Sequence, residues 1–385
     1  MYVIVYRIAR DFTVGHLRFV ASDSTARRMV TLVTESPSYR PAMLSRWLWI
    51  VVSCLIIVLV VGGVTRLTES GLSITDWKPV TGVLPPLNQA DWQAAFEAYQ
   101  RIPQYTEMNG PAGMTLDQYK WIYFWEWLHR FLVRMVLGTS FVLPLAWFWL
   151  RGAIPPQFKL RLLGLLALGG SQAVVGWFMV RSGLSAGADV KVSHYWLAAH
   201  LMLALTLLAA LAWTALDFAA FAKGSAPSRP RGIGLIALGA VYLQLFYGAL
   251  LAGLRAGPVA GSGWLSWDAW PLMQGQLVPA GIDWSLGPAH ALLADPYLVH
   301  FIHRWWAWLA VGVLIVLARR LRGAFRPASI AIHSAFGFQI LLGIATVMSG
   351  IALWLAALHQ LVGALLLVAT VWGAHCLASK TTRVQ

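Results

Sequence analysis

Glu126-Trp-Leu-His129-Arg130 and His300-Phe-Ile-His303-Arg304 are two short motifs that each place a histidine and an arginine early in a long apolar stretch. Farther along the chain, each motif is followed by another histidine within an apolar stretch, His200 and His359 respectively. Ionisable side chains are costly in hydrocarbon and usually mark function there. A duplicated pattern of four histidines therefore needs one explanation, and ligation of haem iron by pairs of histidines is the simplest.

The composition is that of a membrane protein, because 58% of the residues are hydrophobic and only 11% are charged. A membrane-spanning helix needs about 20 predominantly apolar residues. Eight stretches qualify, at approximately 47–65, 127–150, 160–180, 195–221, 233–254, 297–318, 328–348 and 351–378. The predicted fold class is therefore an all-α integral membrane protein with eight transmembrane helices.

The net charge of +14 follows the membrane and does not indicate a nucleic-acid partner. Basic residues concentrate before residue 47 and in three short connections, at 151–161, 223–231 and 319–326. Most acidic residues lie in the alternating loops, at 66–126, 181–194 and 255–296. The positive-inside rule then places both termini on the cytoplasmic side of a bacterial inner membrane, or on the matrix side of a mitochondrial one.

The first 43 residues are rich in arginine but lack the apolar core of a secretory signal. We predict that residues 1–43 are a disordered or mis-started extension, with initiation at Met29 or Met43. The two cysteines, Cys54 and Cys376, lie in the first and last apolar stretches, so a disulfide is not expected.

An internal repeat organises the chain. Gln172-Ala-Val-Val-Gly176 precedes Ser182-Gly183-Leu184, and Gln339-Ile-Leu-Leu-Gly343 precedes Ser349-Gly350-Ile351 at the same spacing. Spans one to four therefore align with spans five to eight, and an even number of spans per half gives a parallel repeat. The predicted architecture is two tandem four-helix bundles, with an extension (1–43), a first half (44–222), a cytoplasmic linker (223–232), a second half (233–379) and a tail (380–385).

The predicted orientation places all four histidines near the outer face, since spans two, four, six and eight all enter the membrane there. Two histidines at one depth on different helices of a four-helix half can ligate one haem from both sides. His300 lies one turn before His303, where it either supports that ligand or contacts a propionate. The other histidines are expected to be packing residues: His16, His194, His290, His333 and His375.

Glu126 makes the halves unequal, because His300 occupies the corresponding position. A carboxylate one turn from an iron ligand suits a general base, or a group that stabilises a cationic intermediate. The alternative is an ion pair with Arg130 at i+4. Four arginines near the outer face are candidate partners of haem propionates, with lipid headgroups as the alternative: Arg66, Arg130, Arg255 and Arg304.

These features resemble the haem A synthases of mitochondria and alphaproteobacteria. The segment 62–86, GGVTRLTESGLSITDWKPVTGVLPP, is similar to the first outer loop of that family, and both histidine motifs agree with it. The resemblance covers about residues 44–378. One branch of the family has a cysteine pair in this loop, which this chain lacks.

The resemblance implies an enzyme that converts the C8 methyl of haem O to a formyl group, by two hydroxylations and loss of water with oxygen from water. The product is the haem A of terminal oxidases. The family pattern assigns His129 and His200 to haem O, with Glu126 catalytic. It assigns His303 and His359 to a resident haem b that passes electrons on.

The resemblance leaves the electron acceptor open. The expected partners are a haem O synthase, the surrounding membrane lipid and further copies of this chain in a homo-oligomer. Two other functions fit the residues taken alone. A di-haem cytochrome b relay would show the same histidine pairs but would not need Glu126, whereas a parallel-repeat transporter would place its polar residues at the membrane midplane.

Overall fold

The computed structural model describes residues 39–76, 81–184, 190–264 and 266–382. Within these ranges the chain forms helices and no strand, and eight helices are long and apolar enough to cross a membrane, as predicted. They are α1 (Pro41–Leu67), α2 (Leu116–Leu150), α3 (Pro156–Leu184), α4 (His194–Phe221), α5 (Gly232–Leu254), α6 (Pro296–Leu321), α7 (Arg326–Met348) and α8 (Leu353–Thr382). The predictions for residues 1–38 and for Trp77–Pro79 lie outside the described residues.

The two ends of the bundle differ. The connections 151–155, 222–231 and 322–325 are short and basic, and we call this the basic end. The connections 68–115, 185–193, 255–295 and 349–352 lie at the opposite end, which we call the loop end, and 68–115 and 255–295 are the longest.

Helix α2 begins at Leu116, about three turns before the start predicted at residue 127. Thr115 and Gln118 form a reciprocal capping box at this point, which satisfies backbone donors of the first turn. The additional turns are stabilised by packing against the loop-end helix Gln89–Tyr99. Apolar periodicity alone underestimated the length of α2, because the first turns of this helix pack against a loop of the protein.

Directly after His129 and Arg130, α2 contains a π-helical segment, Leu132–Gly138. Farther on, Pro144 lacks the N–H that would bond to the carbonyl of Ser140. The indole of Trp47 on α1 donates to that carbonyl at 2.8 Å. A neighbouring helix thus satisfies the backbone group that the proline leaves without its helical partner, as hydrocarbon surroundings require.

Corresponding helices make corresponding contacts in the two halves. Helix α1 packs against α2 and α4, as α5 packs against α6 and α8, and α3 packs against α4 as α7 packs against α8. The halves meet through α1 with α8, α4 with α5, and α4 with α8. These contacts fit the tandem four-helix halves inferred from the repeat.

A buried carboxylate joins the two halves at the basic end. Asp217 on α4 is fully buried and accepts hydrogen bonds from Arg161 of α3 at 2.5 Å and from the backbone of Ser228 at 2.9 Å. Nε2 of His375 on α8 lies 3.0 Å from the same carboxylate. A buried charge needs such partners, so this network fixes α8 against the first half.

An ion pair joins the halves at the loop end. Glu69 follows α1 and Arg255 follows α5, and both residues have a φ of 55°. The Arg255 guanidinium donates to both carboxylate oxygens of Glu69, with Nε at 2.6 Å from Oε1. A left-handed backbone conformation is uncommon for residues other than glycine. Here Glu69 and Arg255 adopt it and end helices α1 and α5 in the same way.

Replacing Asp217 with alanine should lower the stability of the detergent-solubilised protein by about 2–3 kcal/mol, because Arg161 and His375 lose a buried partner. Thermal unfolding followed by circular dichroism measures this. Asp117→Ala is the matched control, since the Asp117 side chain is 89% exposed and its contribution should stay within about 0.5 kcal/mol. Equal losses of stability in the two variants would contradict a special role for Asp217.

Candidate functional site

Each of the four motif histidines lies against a glycine of an adjacent helix. A methyl group placed on any of these glycines would lie 2.9–3.1 Å from the nearest imidazole atom. Real Cβ atoms essentially never come closer than 3.0 Å, as the methyl on Gly248 would, and the other three distances are shorter than nine in ten real Cβ contacts. The glycines therefore give the rings their space. The pairs are His129 with Gly62, His200 with Gly176, His303 with Gly248, and His359 with Gly343.

In the second half, His303 of α6 and His359 of α8 face each other with ring centroids 6.5 Å apart and planes at 83°. If each imidazole nitrogen lay about 2 Å from a metal ion between them, the centroids would be roughly 6 Å apart. Nδ1 of His359 is also buried without a hydrogen-bond partner among the described residues. The pair therefore fits axial ligation of one haem iron.

The first-half pair shares part of this arrangement. His129 and His200 are near enough to interact electrostatically, and Nδ1 of His200 is buried without a partner within the described part of the chain. The residues on α2 and α4 correspond to those on α6 and α8 in the other half. These two histidines also fit a haem.

Glutamines contact three of the four histidines. Gln172 donates to the backbone oxygen of His200 at 3.3 Å, and Nε2 of Gln339 lies 3.3 Å from Nε2 of His359. Gln172 and Gln339 are the first residues of the repeated motifs that end in Gly176 and Gly343. The sequence showed this motif only as a repeat; its position beside the histidines required the folded chain.

In the second half, Gln244 of α5 adds a third such contact. Its Nε2 lies 3.2 Å from Nδ1 of His303 and donates to the His303 backbone oxygen at 3.0 Å. No repeated motif marked this residue, so sequence reasoning missed it.

Glu126 is buried, with 3% of its surface exposed, and three donors surround its carboxylate. Oε2 accepts hydrogen bonds from the Ser73 hydroxyl and the Ile74 backbone N–H, both at 2.8 Å. Oε1 accepts one from Arg130 at 2.5 Å. The ion pair that the sequence left as an alternative is therefore present, and the donors are complementary to a carboxylate. Sequence reasoning identified neither Ser73 nor Ile74.

The repeated arginines hold the loops at the loop end. Arg130 donates to the backbone oxygen of Ile74 at 3.1 Å, and Arg304 donates to those of Pro271 and Leu272 at 3.1 and 2.6 Å. Both arginines thus attach the loop that follows the first helix of their half. Their contact with haem propionates stays a prediction.

His300 is 97% buried and supports the second-half loop. Its Nδ1 lies 2.9 Å from the backbone oxygen of Ala256, and its Nε2 lies 3.4 Å from Arg304. Neither contact is to His303, so support of that ligand and contact with a propionate both stay predictions. His300 and Glu126 therefore occupy matching positions but bind different partners.

Arg66 and Arg255 form a separate positive cluster between the halves. Arg255 pairs with Glu69, and the charge of Arg66 interacts with both of these residues. In the described ranges, the Arg66 guanidinium has no hydrogen bond to a neighbouring group. This excess of positive charge suits an anionic group such as a propionate.

Aromatic packing of the first long loop covers the α2 start beside Glu126. The hydroxyl of Tyr119 donates to the backbone oxygen of Ser73 at 3.1 Å, and the ring of Tyr99 packs against that of Tyr119 in a tilted arrangement with centroids 5.1 Å apart. Burial raises the pKa of Tyr99 to about 12, so its phenol remains neutral at physiological pH. The loop places a packed, neutral layer over Glu126.

Comparison with known proteins gives a consistent result over most of the chain. Residues 45–371 match the family model COX15-CtaA, described as cytochrome oxidase assembly protein. A heme A synthase of Novosphingobium aromaticivorans is 60% identical over 349 residues, which cover 90% of this chain and 99% of the relative. Heme A synthases of Sphingopyxis alaskensis and Erythrobacter litoralis are 51% and 50% identical, over 89% and 87% of this chain and 94% and 97% of each relative.

Gly248→Ala should reduce the haem that co-purifies with the chain, because the new methyl group would lie 2.9 Å from the His303 ring. Absorbance of the bound haem per mole of protein measures this. Gly239→Ala on the same helix is the matched control, since its methyl would meet nothing within 4 Å. His303→Ala sets the level for a lost ligand. Normal haem content in Gly248→Ala would contradict the assigned site.

Proposed function

This chain belongs to the COX15-CtaA family of cytochrome oxidase assembly proteins, and we propose that it is a haem A synthase, an oxidoreductase whose substrate is haem O. It converts the C8 methyl of haem O to the formyl group of haem A. In balance, the methyl carbon gains one oxygen atom from water and releases four electrons and four protons. Two successive hydroxylations followed by loss of water give this result.

The observation that supports the proposal beyond family membership is a difference between the two halves at one matching position. Glu126 of the first half is a buried carboxylate with three hydrogen-bond donors, whereas the matching His300 binds the loop backbone. A chain that only held two equivalent haems would not need this difference. We therefore assign the first half to the substrate, with His129 and His200 as ligands of haem O.

The hydrogen bonds of Glu126 suit a group that accepts a proton at one oxygen. A carboxylate offers about four acceptor positions. Among the described residues, Oε2 has two donors, while Oε1 has only Arg130. The remaining position on Oε1 is the one where a proton from water or from the hydroxylated carbon is accepted. Ser73 and Ile74 hold the carboxylate in place, and its negative charge also stabilises a cationic intermediate.

His303 and His359 hold the resident haem b in the second half. Their facing rings and the unpartnered Nδ1 of His359 support this assignment. A haem bound there supplies a one-electron redox centre. Gln244 and Gln339 orient the two imidazoles.

Arginines at the loop end would hold the propionates of a bound haem. Arg66 carries the positive charge best suited to them, since Arg130 and Arg304 already bind backbone oxygens and Arg255 already pairs with Glu69. His300 contributes by holding Arg304 in place.

The chain is a multi-pass protein of the bacterial inner membrane, with its basic end and both termini in the cytoplasm. The sites then lie toward the outer leaflet. Haem O arrives from a haem O synthase through the membrane, and the electrons leave to a separate acceptor.

The function is tested by expressing the chain together with a haem O synthase in a host that makes no haem A, followed by haem extraction and mass spectrometry. Haem A should appear only when the intact chain is present. Bound haem b without haem A, despite ample haem O and a working respiratory chain, would instead support a di-haem electron relay.

In the same assay, Glu126→Ala should retain bound haem but lower the rate of haem A formation by about a hundredfold or more, the usual effect of removing a general acid or base. Ser73→Ala should cause a smaller loss, and Ser73→Thr should restore the rate because it retains the hydroxyl. A normal rate of haem A formation in Glu126→Ala would remove its catalytic assignment.

A further inference from the structure

A cavity of about 500 Å³ opens at the basic end, between the end of α6 and the start of α7. It lies at the opposite end of the helices from the four histidines. Its lining combines cationic, hydroxyl, imidazole and aliphatic groups, from Arg322, Arg326, Ser329, Ile330, His333 and Ser334.

No acidic side chain of the described residues pairs with the positive charges of this cavity. Among the described residues, neither Arg322 nor Arg326 forms an ion pair or a side-chain hydrogen bond, and both are exposed. The sequence contains no aspartate or glutamate between residues 296 and 385. An anion at this site would therefore meet two available guanidinium groups without a competing carboxylate on the same helices.

The polar groups of the cavity indicate which kind of anion fits there. Ser329 donates its hydroxyl to the backbone oxygen of Ala318, and Nδ1 of His333 lies 2.8 Å from the backbone oxygen of Ser329. The donors that have no partner in the described part of the chain are thus the two guanidinium groups and the Ser334 hydroxyl. Two guanidinium groups with a hydroxyl suit the several oxygens of a phosphate group.

An apolar track continues from the cavity along α7. Ile330, Phe338 and Leu341 are 54%, 62% and 65% exposed. Their spacing, with Ser334 and Gly337 between them, places all five residues on one helix face. A methyl group on Gly337 would meet no atom within 4 Å, so the track has an open notch. From Ile330 to Leu341 it is roughly 16 Å long, at about 1.5 Å per residue.

We propose that this cavity and track bind one anionic phospholipid, with the phosphate between Arg322 and Arg326 and an acyl chain along Ile330, Phe338 and Leu341. The combination of a cationic cavity with a membrane-facing apolar track distinguishes a lipid from a soluble phosphate. Basic pockets between helices on the cytoplasmic side are suited to such headgroups. The assignment to the inner leaflet rests on the proposed orientation, but lipid binding does not depend on the chemistry at Glu126.

Native mass spectrometry of the full chain, released from detergent with added phosphatidylglycerol or phosphatidylcholine, tests the proposal. Arg322→Gln/Arg326→Gln should reduce bound phosphatidylglycerol by at least about tenfold. Arg319→Gln/Arg320→Gln is the matched control, because it removes the same charge from the last turn of α6 outside the cavity lining, and it should change binding less than twofold. Phosphatidylcholine binding should be weak and unchanged.

Further measurements distinguish a lipid phosphate from a soluble phosphate, and a bound lipid from a second copy of the chain. Glycerol phosphate should compete poorly with phosphatidylglycerol, and Gly337→Leu should weaken lipid binding although it removes no charge. Equal losses in the two double variants, or full competition by glycerol phosphate, would overturn the proposal. So would a dimer that disappears in Arg322→Gln/Arg326→Gln without any change in bound lipid. Normal haem content in each variant verifies folding independently of catalysis.

Discussion

The cost of placing an ionisable group in hydrocarbon governs this structure. Asp217 is buried at the basic end only together with Arg161 and His375, and Glu126 only together with Arg130 and Ser73. Each network joins separate elements, because the partner has to come from elsewhere in the chain. The same requirement explains why Trp47 donates to the backbone carbonyl left free by a proline in α2. Polar contacts thus contribute to helix placement alongside apolar packing.

The four buried histidines impose a second requirement, which is space. A glycine on the adjacent helix lies against each imidazole ring, where a larger residue would crowd the ring. The resulting close approach of α1 to α2 and of α5 to α6 brings the loop-end connections onto the same helices. Arg130 and Arg304 then secure those loops through backbone oxygens. Ligand geometry and loop placement are therefore coupled in each half.

The duplicated scaffold supports unequal chemistry. Matching positions hold Glu126 in one half and His300 in the other, and the surrounding loops supply donors to the carboxylate but an acceptor to the imidazole. Glu69 and Arg255 at the loop end and Asp217 and His375 at the basic end connect the two halves.

The sequence by itself determined the eight spans and the family, and it predicted the parallel repeat with its four matched histidines, because each depends on local apolar periodicity or on spacing along the chain. It also singled out Glu126 through the mismatch between the repeats. Only the tertiary structure decided what that carboxylate contacts, since Ser73 lies 53 residues away on another element. The glycines behind the histidines and the partners of Asp217 were likewise decided by helix packing. Contacts between residues that are far apart in the sequence depend on how the helices approach one another in space. The periodicity of the sequence contains no information about that approach.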